Sequence, residues 1–162
     1  MQKEKILRFI LLIFSLVGLL TSLYLYSLHT SLQSSPAICD INSKFSCSNL
    51  AQSGYSSFLG FEIAAIGALG YGFLLLLSLF LVVQSFQNLL PKKVTEHHLL
   101  QVYLFCIIIA VLFTFYLIAI EIMIQIFCIG CMVSWITTLI LCLTSWCLYH
   151  NHNEKIEYKF ER

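Results

Sequence analysis

Apolar residues run in long, nearly unbroken blocks separated by short polar intervals, and this pattern predicts the architecture. The first block runs from Ile6 to Ser27, about long enough to cross a hydrocarbon core of ~30 Å. Lys3, Lys5 and Arg8 flank it, as they would a signal peptide. The run is longer than a usual signal h-region, and no Ala-x-Ala cleavage pattern follows it, so a retained span is expected over 6–27. Residues 28–57 form the longest polar interval, rich in Ser, Asn, Gln and Gly and carrying Cys39, Asp40 and Cys47. Within it, Ser46 to Gln52 is expected to form a short helix near the membrane surface.

The second block covers 58–86, with Gly60, Gly67, Gly70 and Gly72 crowding its first half. Small residues at this spacing let helices approach closely in lipid, so packing is the favoured reading of the glycines. Residues 87–98 are polar again and are expected to be a loop. His97 and His98 suggest metal ligands, but adjacent residues point apart on a helix and no further ligand is near, so a solvated pair is expected. From Leu99 to Tyr149 the chain is almost continuously apolar. A single helix of that length would measure roughly 75 Å, more than twice the bilayer core. It must fold back on itself, and Glu121, Gln125 and Cys128-Ile129-Gly130-Cys131 are the candidates for the reversal. The last two spans are then expected at 99–124 and 128–148, followed by a polar tail over 150–162.

The prediction is an all-α membrane protein: a four-helix transmembrane bundle in residues 1–149, with a cysteine-bearing loop, 28–57, between spans one and two. Composition agrees. The chain of 162 residues is 59% hydrophobic and 10% charged, against about 25% charged in a soluble domain, so it cannot cover itself with polar surface. A formal net charge of +1 gives no support to a nucleic-acid partner. Eight of the nine lysines and arginines fall at the two termini and in the 87–98 loop, leaving only Lys44 in the other intervals. The positive-inside rule places the termini and that loop in the cytoplasm. Cys39, Cys47, Cys128 and Cys131 then share the outer face, where disulfides persist.

Two cysteine pairs at one membrane surface suit a thiol–disulfide relay, in which a thiolate attacks a neighbouring disulfide. The loop pair, Cys39 and Cys47, is placed to meet a water-soluble partner. Cys128 and Cys131, one helical turn apart at the mouth of the bundle, are placed to meet a lipid-soluble oxidant. A helix N-terminus at Cys128 would favour its thiolate. Static structural disulfides are plausible for Cys39–Cys47 but less so for Cys128–Cys131, because a bridge across one helical turn is usually strained and reducible. A four-cysteine zinc site has one suitable Cys-x-x-Cys half, while the Cys-x7-Cys half is not a usual knuckle. Cys106, Cys142 and Cys147 lie inside spans and are read as buried small hydrophobes. Ser134 and Trp135 follow Cys131 by three and four residues, on its face of the helix, where they can line a pocket for a flat ring. Glu62 is a carboxylate at the outer end of its span, either functional or interfacial and solvated.

Three features together resemble the vitamin K epoxide reductase family of membrane proteins. They are Cys39-Asp40-(x)6-Cys47 in the first loop; Ser53-Gly54-Tyr55-Ser56-Ser57-Phe58-Leu59-Gly60 followed by Ala64-Ala65-Ile66-Gly67-Ala68-Leu69-Gly70-Tyr71; and Cys128-Ile129-Gly130-Cys131. Order separates this family from the similar disulfide-bond protein B family, in which the Cys-x-x-Cys pair precedes the loop pair. The resemblance covers roughly residues 8–149. It implies a four-helix bundle around a quinone (ubiquinone, menaquinone or vitamin K). Cys131 would face the quinone, Cys128 would exchange with Cys47, and Cys39 would meet the thiols of a thioredoxin-fold partner. Ser53 matches a family serine near the active site, and Trp135 stands where vertebrate members have a tyrosine contacting vitamin K. Gly60-Phe61-Glu62 stands where bacterial relatives commonly have Gly-Ile-Pro. Many bacterial relatives also carry a fused thioredoxin-like domain, so the partner here is expected to be a separate protein. The expected activity is a quinone-dependent thiol oxidase of a bacterial inner membrane, with the cysteines on the periplasmic side. The rivals are a vitamin K epoxide or quinone reductase of the endoplasmic reticulum, and a non-enzymatic four-span protein with structural disulfides or zinc.

Overall fold

The structure, a computed structural model, describes residues 2–30, 39–42, 46–48, 57–58, 61–86 and 94–160. Four long helices carry the fold: α1 (Gln2–Thr30), α2 (Ile63–Phe86), α3 (Val94–Ile124) and α4 (Ile129–Phe160). Each contains a stretch long and apolar enough to cross a bilayer: Lys3–Leu28, Ile63–Val83, His97–Ile124 and Ile129–Asn153. The chain is an integral membrane protein. Large apolar side chains such as Phe105, Leu112 and Ile122 of α3 are exposed, while Tyr103 and Ile107 on the same helix are buried. The exposed set is the face that lipid covers. Several hydroxyls inside the spans are satisfied on their own helices, which suits a lipid surround. Ser15 donates to the Leu11 carbonyl, Thr114 to Ala110 and Thr144 to Ile140, at 2.7–2.8 Å.

Successive helices pack as neighbours. α1 lies against α2 and α4, α4 also against α3, and the α2–α3 seam is the loosest. The packing is uneven along the bundle. Leu11, Leu81, Leu100, Tyr103, Ile107, Leu141 and Leu148 form a continuous core in the half that holds the N-terminus. There Arg8 of α1 is buried and donates through Nη1 to the Leu81 carbonyl of α2 at 2.8 Å. The opposite half is hollow.

Helix boundaries depart from the apolar blocks in three places. α2 begins at Ile63 rather than at 58, because Ser57–Phe58 (β1) and Phe61–Glu62 (β2) pair as a small antiparallel hairpin. α3 begins at Val94, so His97 and His98 are helical rather than in a loop. His97 stacks between Tyr149 and His152 of α4, with ring centroids 5.8 and 6.0 Å away, and tertiary contact thus extends both helices past their apolar segments. α4 runs on to Phe160, so most of the polar tail is helical. The reversal between α3 and α4 falls at residues 125–128. Gln125 adopts a left-handed φ of 58°, the conformation that commonly ends a helix.

Candidate functional site: two cysteine pairs at the mouth of an apolar cavity

Backbone pairing brings the cysteine-bearing loop after α1 onto the α3–α4 turn. The Ser46 N–H donates to the Phe127 carbonyl at 3.2 Å, and the next residues on each side are Cys47 and Cys128. Asp40 holds the loop closed around this point. Its carboxylate accepts hydrogen bonds from the Ser46 hydroxyl (2.9 Å), the Ser48 N–H (3.1 Å) and the Ser48 hydroxyl (2.5 Å). Of the expected helix over 46–52, Cys47 and Ser48 are helical and 49–52 lie outside the described residues.

Cys39 and Cys47 are joined in a disulfide, and Cys128 and Cys131 are free thiols. The Cys128 and Cys47 sulfurs are 3.3 Å apart, and both residues are 1% exposed. Cys128 is the last residue before α4, and its sulfur accepts from the Cys131 backbone N–H at 3.4 Å. The Cys131 thiol hydrogen-bonds to Cys128 and holds the Cys128 thiol below its ordinary value; the Cys131 and Gly130 N–H groups assist and burial opposes them. The thiolate is the form that attacks disulfides, so Cys128 is electronically as well as sterically placed for exchange with Cys47. Gly130 makes room for this turn: a Cβ there would lie 2.9 Å from Leu25 Cδ2 of α1.

Behind the sulfurs lies a cavity of about 410 Å³ among the four helices, within the usual ligand-site range of about 300–1,000 Å³. It is walled chiefly by apolar side chains. Cys47, Cys128 and Cys131 border it, and so do Ser134, Trp135 and Glu62. On α4 the lining extends from Cys128 to Thr138, a rise of roughly 15 Å, or half the hydrocarbon core. The Trp135 indole Nε1 is enclosed and has no hydrogen-bond partner. It is an available donor in an apolar pocket. Ser53 lies outside the described residues.

Three lining groups escaped the sequence reading. Tyr71 of α2 crosses to α4, where its hydroxyl donates to the Ser134 carbonyl at 2.9 Å and meets the Thr138 hydroxyl at 2.7 Å. Its ring lies over Gly18 of α1, where any side chain would collide with it. Cys106, expected to be a packing residue, borders the cavity, and Cys147 is exposed rather than buried. Glu121, taken as a possible turn residue, sits inside α3 and is 2% exposed. A charged residue within an apolar span was the available signal for it.

Among the described residues no three His, Cys, Asp or Glu side chains gather as a metal-binding group, and Cys39 and Cys47 are committed to a disulfide. A purely structural role leaves the 3.3 Å approach of a third sulfur to that disulfide without a purpose. No curated protein matches the chain in sequence. A family model described as the vitamin K epoxide reductase family matches residues 9–146, which include all four helical spans nearly complete and both cysteine pairs. Its members couple thiol–disulfide chemistry to quinones and work with thioredoxin-like partners. The chain belongs to the vitamin K epoxide reductase family and shares its general character as a quinone-linked disulfide oxidoreductase or epoxide reductase of the membrane.

Proposed function

We propose that this protein is a quinone-dependent thiol oxidase that supports disulfide formation. Electrons enter from a reduced thioredoxin-fold protein at Cys39–Cys47, pass to Cys128–Cys131, and leave to a membrane quinone. The observation that carries this reading is the contact between Cys47 and Cys128 at the mouth of a cavity that Cys131 also borders. The basic residues favour a non-cytoplasmic face for the site, which in this reading is the periplasm of a bacterial inner membrane.

The chain's own residues divide the work. Cys39, in the outer loop, exchanges with the partner's thiols. The freed Cys47 thiolate attacks Cys128 of an oxidised Cys128–Cys131 pair. The Cys47–Cys128 bond forms and the electron pair leaves on Cys131. Cys39 then attacks Cys47, restoring the Cys39–Cys47 disulfide and leaving Cys128 and Cys131 as the dithiol. That is the state of the described structure. The same sulfur-to-sulfur line serves both directions, so the quinone's oxidising power is what drives the traffic outward.

The cavity residues fit a quinone. The ring and its apolar tail match the walls, and the unpartnered Trp135 N–H suits a ring carbonyl oxygen. Ser134, Glu62 and Ser53 complete the proposed binding set. When bound, the quinone accepts two electrons and two protons.

The test is quinone reduction by detergent-purified protein supplied with a reduced thioredoxin-fold donor. Wild type is expected to turn over, and Cys39→Ser and Cys131→Ser to stop. Cys131→Ser should fail even when a small dithiol replaces the donor. Absence of cysteine-dependent turnover with ubiquinone, menaquinone and vitamin K would refute the oxidase. Conversion of vitamin K epoxide by the same preparation would reassign the chain to epoxide reduction.

A further inference from the structure

The thiol relay accounts for electrons but leaves the protons without a route. Closing the Cys128–Cys131 disulfide releases two protons along with two electrons, and the hydroquinone takes up both. The walls around Cys131 are mainly apolar, so a proton leaving this thiol needs a neighbour that can hold it. Glu121 is that neighbour. It stands on α3, borders the cavity, and is 2% exposed. The Cys131 thiol and the Cys128 backbone are the polar groups that act on its carboxyl, yet neither closes a full hydrogen bond with Oε1 or Oε2.

A carboxyl kept only for structure is normally satisfied, because a buried and unpaired one is destabilising. Here both oxygens are enclosed without partners, in the wall of the cavity. Other titratable groups facing that space are Cys128, Cys131, Glu62, Tyr71 and Cys106. No lysine or arginine stands among the described lining residues to neutralise the carboxylate.

We propose that Glu121 carries the proton between the Cys131 thiol and the quinone oxygen, an assignment that rests on the quinone oxidase reading above. As the disulfide forms, the carboxylate of Glu121 takes the Cys131 proton. The electron pairs of the two S–H bonds become one S–S bond and one pair delivered to the ring. Glu121 then gives its proton to a ring oxygen, and the Cys128 proton goes to the other. The dithiol is oxidised, the quinone is reduced to hydroquinone, and Glu121 ends as it began.

The experiment compares wild type, Glu121→Gln and Glu121→Asp, each confirmed to retain the Cys39–Cys47 disulfide and the wild-type elution volume in detergent. The first readout is single-turnover quinone reduction by the pre-reduced protein. Glu121→Gln keeps the shape but cannot carry a proton, and its rate at saturating quinone is expected to fall about 10²–10⁴-fold. The quinone KM should barely change, and Glu121→Asp should recover part of the rate. The second readout needs no quinone: the pH dependence of Cys131 alkylation, measured in a Cys128→Ser background. With Glu121 the thiol and carboxyl share protons and the profile should show two steps; with Gln it should show one.

If wild type reduces quinone and Glu121→Gln matches it within a few-fold, the inference falls while the proposed function stands. If wild type reduces no quinone, the proposed function falls with the quinone half of this inference. The alkylation profiles then judge the remaining half. Superimposable curves overturn proton exchange between Glu121 and Cys131, and a lost step supports it.

Discussion

A Cys39→Ser, Cys131→Ser double variant should lock itself into a Cys47–Cys128 disulfide. Removing Cys39 frees Cys47, and removing Cys131 leaves Cys128 no other partner nearby. The two sulfurs start 3.3 Å apart and must close to about 2.05 Å, a movement of roughly 1.3 Å that side-chain rotation supplies. A thiol confined within about 3–4 Å of its partner has an effective concentration on the order of 10 M, whereas a flexible linker gives only millimolar values. The difference is about 10⁴-fold, or about 5.5 kcal/mol. In a buffer of about 10 mM reduced and about 1 mM oxidised glutathione, that effective concentration leaves about 99% of the protein bridged. The assay is alkylation after acid quenching, followed by mass spectrometry of the peptides joined through Cys47 and Cys128. A protein left largely as free or glutathione-capped thiols, with an effective concentration in the millimolar range, would refute the preformed contact. The relay would then have to depend on a loop searching freely for its target.

Other expectations probe the supports of that contact. Asp40→Ala removes the acceptor of three hydrogen bonds, which should cost about 1–3 kcal/mol locally and appear as faster proteolysis of the outer loop and slower exchange between the pairs. In a Cys47→Ser background, Cys128 should react with a small methanethiosulfonate at lower pH than an ordinary thiol. Adding Cys131→Ser removes the leading cause of that lowering, so the profile should move to higher pH; an unmoved profile would refute the assignment. Gly18→Ala sets a methyl against the Tyr71 ring and should destabilise the bundle by about 1–3 kcal/mol, read as a lower midpoint of thermal unfolding in detergent. Tyr71→Phe loses the hydrogen bonds to Ser134 and Thr138 and should lower the same midpoint by an amount equivalent to about 1 kcal/mol.

Much of the architecture was legible in the sequence because the bilayer imposes it. A span must be long, apolar and internally hydrogen-bonded, so block lengths and polar gaps alone announce four helices. The 51 almost continuously apolar residues from Leu99 to Tyr149 require a reversal for the same reason. The cysteine spacing around Ile129-Gly130 likewise suggests a redox pair, which remains part of the proposal. Sequence patterns were weaker where tertiary contact overrides composition. His97 and His98 read as loop because they are polar, but packing of His97 against Tyr149 and His152 holds them in α3. Phe58 reads as span because it is apolar, but pairing with Phe61 turns the chain before α2 starts.

The chemistry of the site divides along the same line. Sequence determined which cysteines gather, since topology alone puts Cys39, Cys47, Cys128 and Cys131 at one end of the bundle. The resemblance implied that Cys128 exchanges with Cys47, and the tertiary structure makes the same choice, setting those two sulfurs 3.3 Å apart. That choice rests on the Ser46–Phe127 backbone bond, a contact between segments some eighty residues apart that no local pattern encodes. Only the tertiary structure revealed the hollow behind them, because a cavity is a difference in packing between two halves of the same apolar helices. It also turned Glu121 from a turn marker into a cavity wall. A helix places its residues by a rotation of 100° each, but the face that meets a cavity depends on how its neighbours are set against it.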